Sequence, residues 1–287
     1  MAVYERTYRP YAGPTTAERT RFLVIPRYGL RSVLASRLIT LFFAASFLPS
    51  LVGMILIYLA HNATLLATIG IDVSGIELIG PAFFARILTI QGLGLGFVLM
   101  MIVGPGLISA DVGHNALPLY FARPFSRFEY VAGKITVLAV LLSAVTWVPG
   151  LLMWGLKAVL AGPTWTFQNL RSALAIFVGS WVWIVVIGLV TLAISASARR
   201  KLTAMAYLFA VFVLMPVLGT MLIEGLGLRI GWMLHLMAMV RRTWEALFGI
   251  EPSVDASLSV AWITLIVACA VSIAVLARKV RAYEIFR

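Results

Sequence analysis

Acidic residues are scarce in this chain, 11 Asp and Glu against 23 Lys and Arg in 287 residues, and there are three histidines and one cysteine. Cys269 has no second thiol to pair with, so a disulfide framework is excluded. No G-x-x-x-x-G-K-[ST] phosphate loop occurs anywhere. The six long apolar runs hold no Asp, Glu, Lys, Arg or His at all. Charge in hydrocarbon is costly, so proton relays, intramembrane metal sites and carboxylate ion sites show themselves as such residues. Proton-coupled antiport and intramembrane metalloproteolysis are therefore disfavoured. His61, His114 and His235 lie far apart along the chain and do not read as one ligand set.

What the chain has instead is apolar length. Hydrophobic residues make up 62% of it and charged residues 12%, a balance outside that of soluble domains. Crossing the hydrocarbon takes about 20 residues of helix. Six runs qualify: 38–60, 87–109, 135–156, 172–195, 202–223 and 258–277. They are continuous rather than alternating, which predicts helices and not barrel strands. The expected fold is thus an all-α polytopic membrane protein with six transmembrane helices over residues 38–277. A cytoplasmic tail and an amphipathic helix occupy 1–37, and a short cytoplasmic tail occupies 278–287. The first residues carry no cleavable signal pattern.

Charge sets the orientation. With both termini inside, 17 of the 23 basic residues and 5 of the 11 acidic ones fall on the cytoplasmic side, so the whole formal charge of +12 sits on that face. Before the first run, Thr15 and Glu18 have capping-box spacing. Phe22, Leu23, Leu30, Val33 and Leu34 alternate there with Arg19, Arg27, Arg31 and Ser32 around Pro26, which is expected to kink the segment. A basic amphipathic helix of this kind lies along anionic headgroups. Between the last two runs, Leu228, Trp232, Met233, Leu236, Met237 and Val240 recur near helical spacing, with Trp244 and Phe248 beyond. They predict short outer helices that dip into the outer leaflet, since Trp favours the interface.

One polar island, 104–134, links the second and third runs. Gly104-Pro105-Gly106 weakens the helix, and Asp111 is expected to cap a new turn. Leu117, Leu119, Tyr120 and Phe121 interleave with Arg123, Arg127 and Lys134, so the island is amphipathic rather than a plain solvated loop. Within the runs, Gln91, Thr146, Ser180, Thr191 and Thr203 are the candidates for a transport path, with Trp147, Trp181 and Trp183 adding aromatic surface. Gly92, Gly94 and Gly96 read as helix-packing positions. Pro149 and Pro216 are expected to kink the third and fifth runs.

The order Asp111, Leu117 to Leu119, Arg123-Pro124-Phe125-Ser126-Arg127, then Gly133-Lys134 resembles the link between spans two and three in ABC transporter permease subunits of the ABC-2 exporter type. The resemblance implies a cytoplasmic coupling helix within 110–134 that seats in an ATP-hydrolysing partner. Asp111, Leu117, Leu119, Tyr120, Phe121, Arg123, Pro124, Ser126, Arg127, Gly133 and Lys134 would make that connection. It further implies a bacterial inner-membrane protein that exports a solute, has no catalysis or cofactor of its own, and leaves ATP and Mg to the partner ATPase subunits. A second permease copy, identical or different, would complete the assembly, with membrane lipids around it and no nucleic acid involved. A reading from another class stays open: a membrane anchor or sensor that recruits a cytoplasmic ATPase or enzyme through the same island without moving a solute.

Overall fold

A computed structural model describes residues 23–62, 79–122 and 126–281, with Gly13 and Thr68 besides. Among the described residues there is no strand, and six helices are long and apolar enough to cross a membrane: Arg37–His61, Pro81–Gly113, Arg127–Ala161, Leu170–Ser197, Lys201–Gly225 and Leu258–Val280. Each contains one of the six apolar runs. The chain is therefore an integral membrane protein by the length and composition of its helices. The helices extend past the runs because a helix continues into the headgroup layer, where Arg86, Asp111 and Lys134 are tolerated. The fourth span is the central one, packing against the second, third and sixth spans. The first and fifth are peripheral, with 17% of their most apolar windows buried.

The spans are not uniform cylinders. The second passes through a π-helical stretch at Thr89–Gly96, the run in which three glycines alternate, and the fifth through π turns at Ala210–Leu214 and Met221–Gly225. Such widened turns relieve helices whose hydrogen-bond ladder is disturbed. Pro216 lies in the first turn of the α-helical stretch Met215–Thr220 that follows the first π stretch of the fifth span. The third span breaks at Thr146 (φ −107°, ψ −89°). That is one residue after the carbonyl with which the Pro149 ring would clash, so the proline acts where its missing N–H and its bulk predict.

Two details depart from the sequence reading, the unkinked N-terminal helix and the burial of Trp244. The N-terminal amphipathic helix is Val24–Leu34, so Pro26 sits in its first turn and produces no kink. Its apolar face packs on the third span: Ile25 is buried, Leu30 and Val33 touch the core, and Arg27 and Arg31 are exposed. The segment after the fifth span is two pieces, a 3-10 turn at Arg229–Leu234 and a helix at Leu236–Phe248, separated at His235. That helix packs against the second, fourth and sixth spans. Trp244, expected at the interface, is 1% exposed. Its Nε1 donates to the Gly179 carbonyl at 2.8 Å, and its ring lies over Gly92 and Gly179. The Thr15–Glu18 capping box, most of the link 62–80 and the last six residues lie outside the described residues.

This hairpin is pinned at its exit. Arg171, at the start of the fourth span, donates from Nε to Leu247 O at 2.9 Å and from Nη2 to Ala246 O at 2.8 Å. A guanidinium on the last carbonyls satisfies acceptors the helix end leaves open and suits its dipole. Glu245 is buried nearby, accepting from Arg241 Nε at 3.1 Å and from the Ser253 amide at 3.0 Å, so the loop into the sixth span is tied to the same helix.

Candidate functional site

The island between the second and third spans is built from the break at Gly104–Pro105 outward. The helix is interrupted there for two residues and resumes at Gly106–Gly113. Its early amides have no intrahelical acceptor. They are capped from another span: Ser195 Oγ of the fourth span accepts from Ile108 N at 3.0 Å and Ser109 N at 2.9 Å, and donates to Pro105 O at 2.7 Å. Asp111, expected to do the capping, lies in the last turn, where no free amides remain. Its carboxylate turns to the third span instead. Sequence reasoning missed Ser195, which it placed only as the last residue of the fourth apolar run. An expected outcome follows. Ser195→Ala leaves the two buried amides of Ile108 and Ser109 without this acceptor, while Pro105 O keeps the Ser109 hydroxyl, costing about 2 kcal/mol or more at roughly 1–3 per unsatisfied group. It is read as a fall in melting temperature of the detergent-solubilised chain.

Asp111 Oδ2 accepts from the Tyr130 hydroxyl at 2.6 Å and lies 2.7 Å from Lys134 Nζ. Its carbonyl accepts the Ala116 amide at 2.8 Å, closing the helix through Asn115, which takes the left-handed φ of 51° that asparagine tolerates. The pair is mostly out of solvent, with the Lys134 and Asp111 side chains 13% and 17% exposed. The ammonium also faces the rings of Tyr130 and Tyr120, 5.5 and 6.0 Å from their centroids. Burial and then the Asp111 charge push the Tyr120 hydroxyl above its ordinary pKa, so it stays protonated as a donor.

The link helix Leu117–Phe121 carries Pro118 in its first turn, where the absent amide costs nothing. It divides the expected coupling residues into two groups. Leu117 is buried as an anchor, and Tyr120 and Phe121 stack back on Tyr130 with ring centroids 5.3 and 6.0 Å apart. Leu119 is 72% exposed, and so, at 81%, is Phe128 in the first turn of the third span, a residue outside the expected set. Arg123 and Pro124 lie outside the described residues. Ser126 has a local duty: it caps the third span, accepting the Glu129 amide at 3.1 Å while Glu129 accepts the Ser126 amide at 2.7 Å. Arg127 is half-buried in the first turn beside it. Gly133 admits the N-terminal helix, since a Cβ there would stand 2.8 Å from Ile25, and Gly29 returns the favour to Val137 at 2.7 Å. The turn between spans four and five closes the assembly, with the Arg199 carbonyl directly over Gly113.

The transport-path candidates are distributed differently. Gln91, Thr146, Ser180 and Thr191 are 0% exposed, enclosed between helices, and Thr203 is half-buried near the start of the fifth span. Gln91 Nε2 donates to Ser50 of the first span. Thr146 donates to Leu142 O at 2.7 Å, and Thr191 to Met100 Sδ at 2.8 Å. Ser180 Oγ, Gln91 Oε1 and the indole nitrogens of Trp147 and Trp183, all on spans two to four, are buried without a hydrogen-bond partner among the described residues. A largely apolar groove of about 550 Å³ lies elsewhere, between spans four, five and six, lined among others by Val190, Tyr207, Met215, Met233 and Val267. Compared with protein-family models and with curated proteins, the chain gives no match.

Proposed function

We propose that the chain is the permease subunit of an ATP-driven transporter of the ABC-2 type, coupled to a separate cytoplasmic ATPase through the link between its second and third spans. The observation that carries this reading is the weld at the base of that link. Asp111 joins Tyr130 and Lys134 within 2.7 Å, while Leu119 and Phe128 stand exposed beyond it. Such a link transmits force, because a push on its exposed face cannot be absorbed by bending at the base. Ser195 passes the displacement from the second span to the fourth. The apolar groove between spans four, five and six supports a substrate with a large hydrophobic part. The basic residues of this end favour its placement in the cytoplasm, at the inner membrane.

The test uses the tagged chain purified from its native host in mild detergent. A nucleotide-hydrolysing subunit bearing a Walker-type loop is expected to co-purify. Leu119→Glu with Phe128→Glu should lower its recovery about ten-fold or more, the loss of two buried apolar contacts at an interface core, while the melting temperature of the permease stays unchanged. Undiminished recovery of the ATPase with that double variant would sink the coupling role of the link.

A further inference from the structure

A cavity of about 720 Å³ opens at the Lys134 end of the bundle, beneath the N-terminal helix. Its lining combines two kinds of chemistry. Apolar side chains come from Ile39 of the first span, from Ile102, Val103 and Leu107 of the second, and from Ile25 and Val33 of the N-terminal helix. Polar ones are Tyr28 and Ser32 of the N-terminal helix, Tyr120 of the link and Lys201 at the start of the fifth span. Asp111 and Lys134 also line it, but their charges are spent on each other at 2.7 Å. Lys201 is exposed, packs its stem beside Gly106, and has no ion-pair partner among the described residues. Among the described residues the cavity thus offers one positive charge without an ion-pair partner, together with hydroxyl groups and apolar side chains in the same lining.

We propose that this cavity is a binding site for one anionic phospholipid, its phosphodiester held by Lys201, Tyr28 and Ser32 and the first part of an acyl chain laid against Ile39 and Ile102. A phosphodiester bearing an acyl chain uses both Lys201, the one basic lining residue without an ion-pair partner among the described residues, and the apolar lining, whereas a free phosphate uses the cation alone. An occupant here touches the N-terminal helix, the link through Tyr120 and the fifth span together, so it braces the three elements that surround the Asp111 weld. The site does not depend on the transport reading, because lipid binding is measured without an ATPase.

The full chain, purified in neutral detergent and stripped of lipid, is titrated with short-chain phosphatidylglycerol, with phosphatidylcholine of the same length and with inorganic phosphate, and retention is read by native mass spectrometry. One phosphatidylglycerol per chain is expected, with phosphatidylcholine retained at least ten-fold less. Lys201→Glu should weaken retention roughly ten-fold, the scale set by reversing one basic residue near an anionic headgroup. Arg278→Glu, an exposed charge on the sixth span, should leave it unchanged. Ile39→Trp fills the apolar half with the charge intact and should also weaken it, which keeps the test alive if Lys201→Glu does not fold. Equal losses for Lys201→Glu and Arg278→Glu overturn the site, as does equal retention of phosphatidylcholine. Displacement of the lipid by inorganic phosphate at comparable concentration assigns the cavity to a free anion and overturns the lipid.

Discussion

Lys134→Met is expected to destabilise the chain by about 2 to 4 kcal/mol, close to the largest effect of any single exposed-end substitution. The reason is what it leaves behind. Removing one member of a buried ion pair strands the other, at about 3 to 5 kcal/mol, and the partial exposure of both side chains, 13% and 17%, trims that figure. Asp111 retains only the Tyr130 hydroxyl. Asp111→Leu should cost a similar amount, because the ammonium is then held between two tyrosine rings without a carboxylate. The double variant Asp111→Leu with Lys134→Met removes both charges and replaces them with apolar volume, so it is expected to recover most of either loss. Thermal melts of the four proteins in one detergent give the coupling energy directly. A double variant whose loss equals the sum of the singles would show that the pair does not act as a unit and that the base of the link is not welded.

The outcome also tests how force enters the membrane. In the permease reading, Lys134→Met keeps the exposed Leu119 and Phe128, so the ATPase still docks. What fails is transmission, seen as hydrolysis that no longer responds to the solute. Association retained with response lost separates the lever from its handle.

The spans were legible because hydrocarbon demands uninterrupted apolar residues, and the run 172–195 returned as Leu170–Ser197 almost unchanged. Proline also spoke clearly at Pro149, whose effect is local to one turn of helix. The island was legible as amphipathic but not in its division of labour. Leu117 and Leu119 are the same residue type two apart, and only the packed fold tells that one is an anchor and the other a free face. Asp111 followed a local capping rule in the sequence reading, but the helix already starts at Gly106, and the open amides of that first turn, on Ile108 and Ser109, are met by Ser195, 87 and 86 positions away along the chain. No window of sequence contains that bond. Ser126 shows the reverse case: its Ser-x-x-Glu spacing with Glu129 was a local signal, passed over because the same residue stood in a family-like motif.

Trp244→Ala carries the other large expected loss, about 3 to 5 kcal/mol, the range for deleting a fully buried aromatic side chain. The glycines at 92 and 179 explain why it will not be absorbed. Packing glycines were expected to bring helix backbones together, yet at Gly92 and Gly179 the space is taken by the indole, which a Cβ would meet at 2.7 and 2.9 Å. With the ring gone, two spans face an opening that neither has a side chain to fill, and the helix Leu236–Phe248 loses its buried hydrogen bond to the fourth span's backbone. Trp244→Phe keeps much of the volume and gives up the bond from Nε1 to Gly179 O, so about 1 kcal/mol is expected. Gly179→Val attacks the same contact from the other side, and its bulk should undock the helix without touching Trp244. Protease sensitivity between residues 226 and 256 reports that undocking, low in the unaltered chain and in Trp244→Phe, high in Trp244→Ala and Gly179→Val. Were Trp244→Ala to melt with the unaltered protein and stay resistant, the hairpin would be held by Arg171 and Glu245 alone, and the wedge would be packing without consequence.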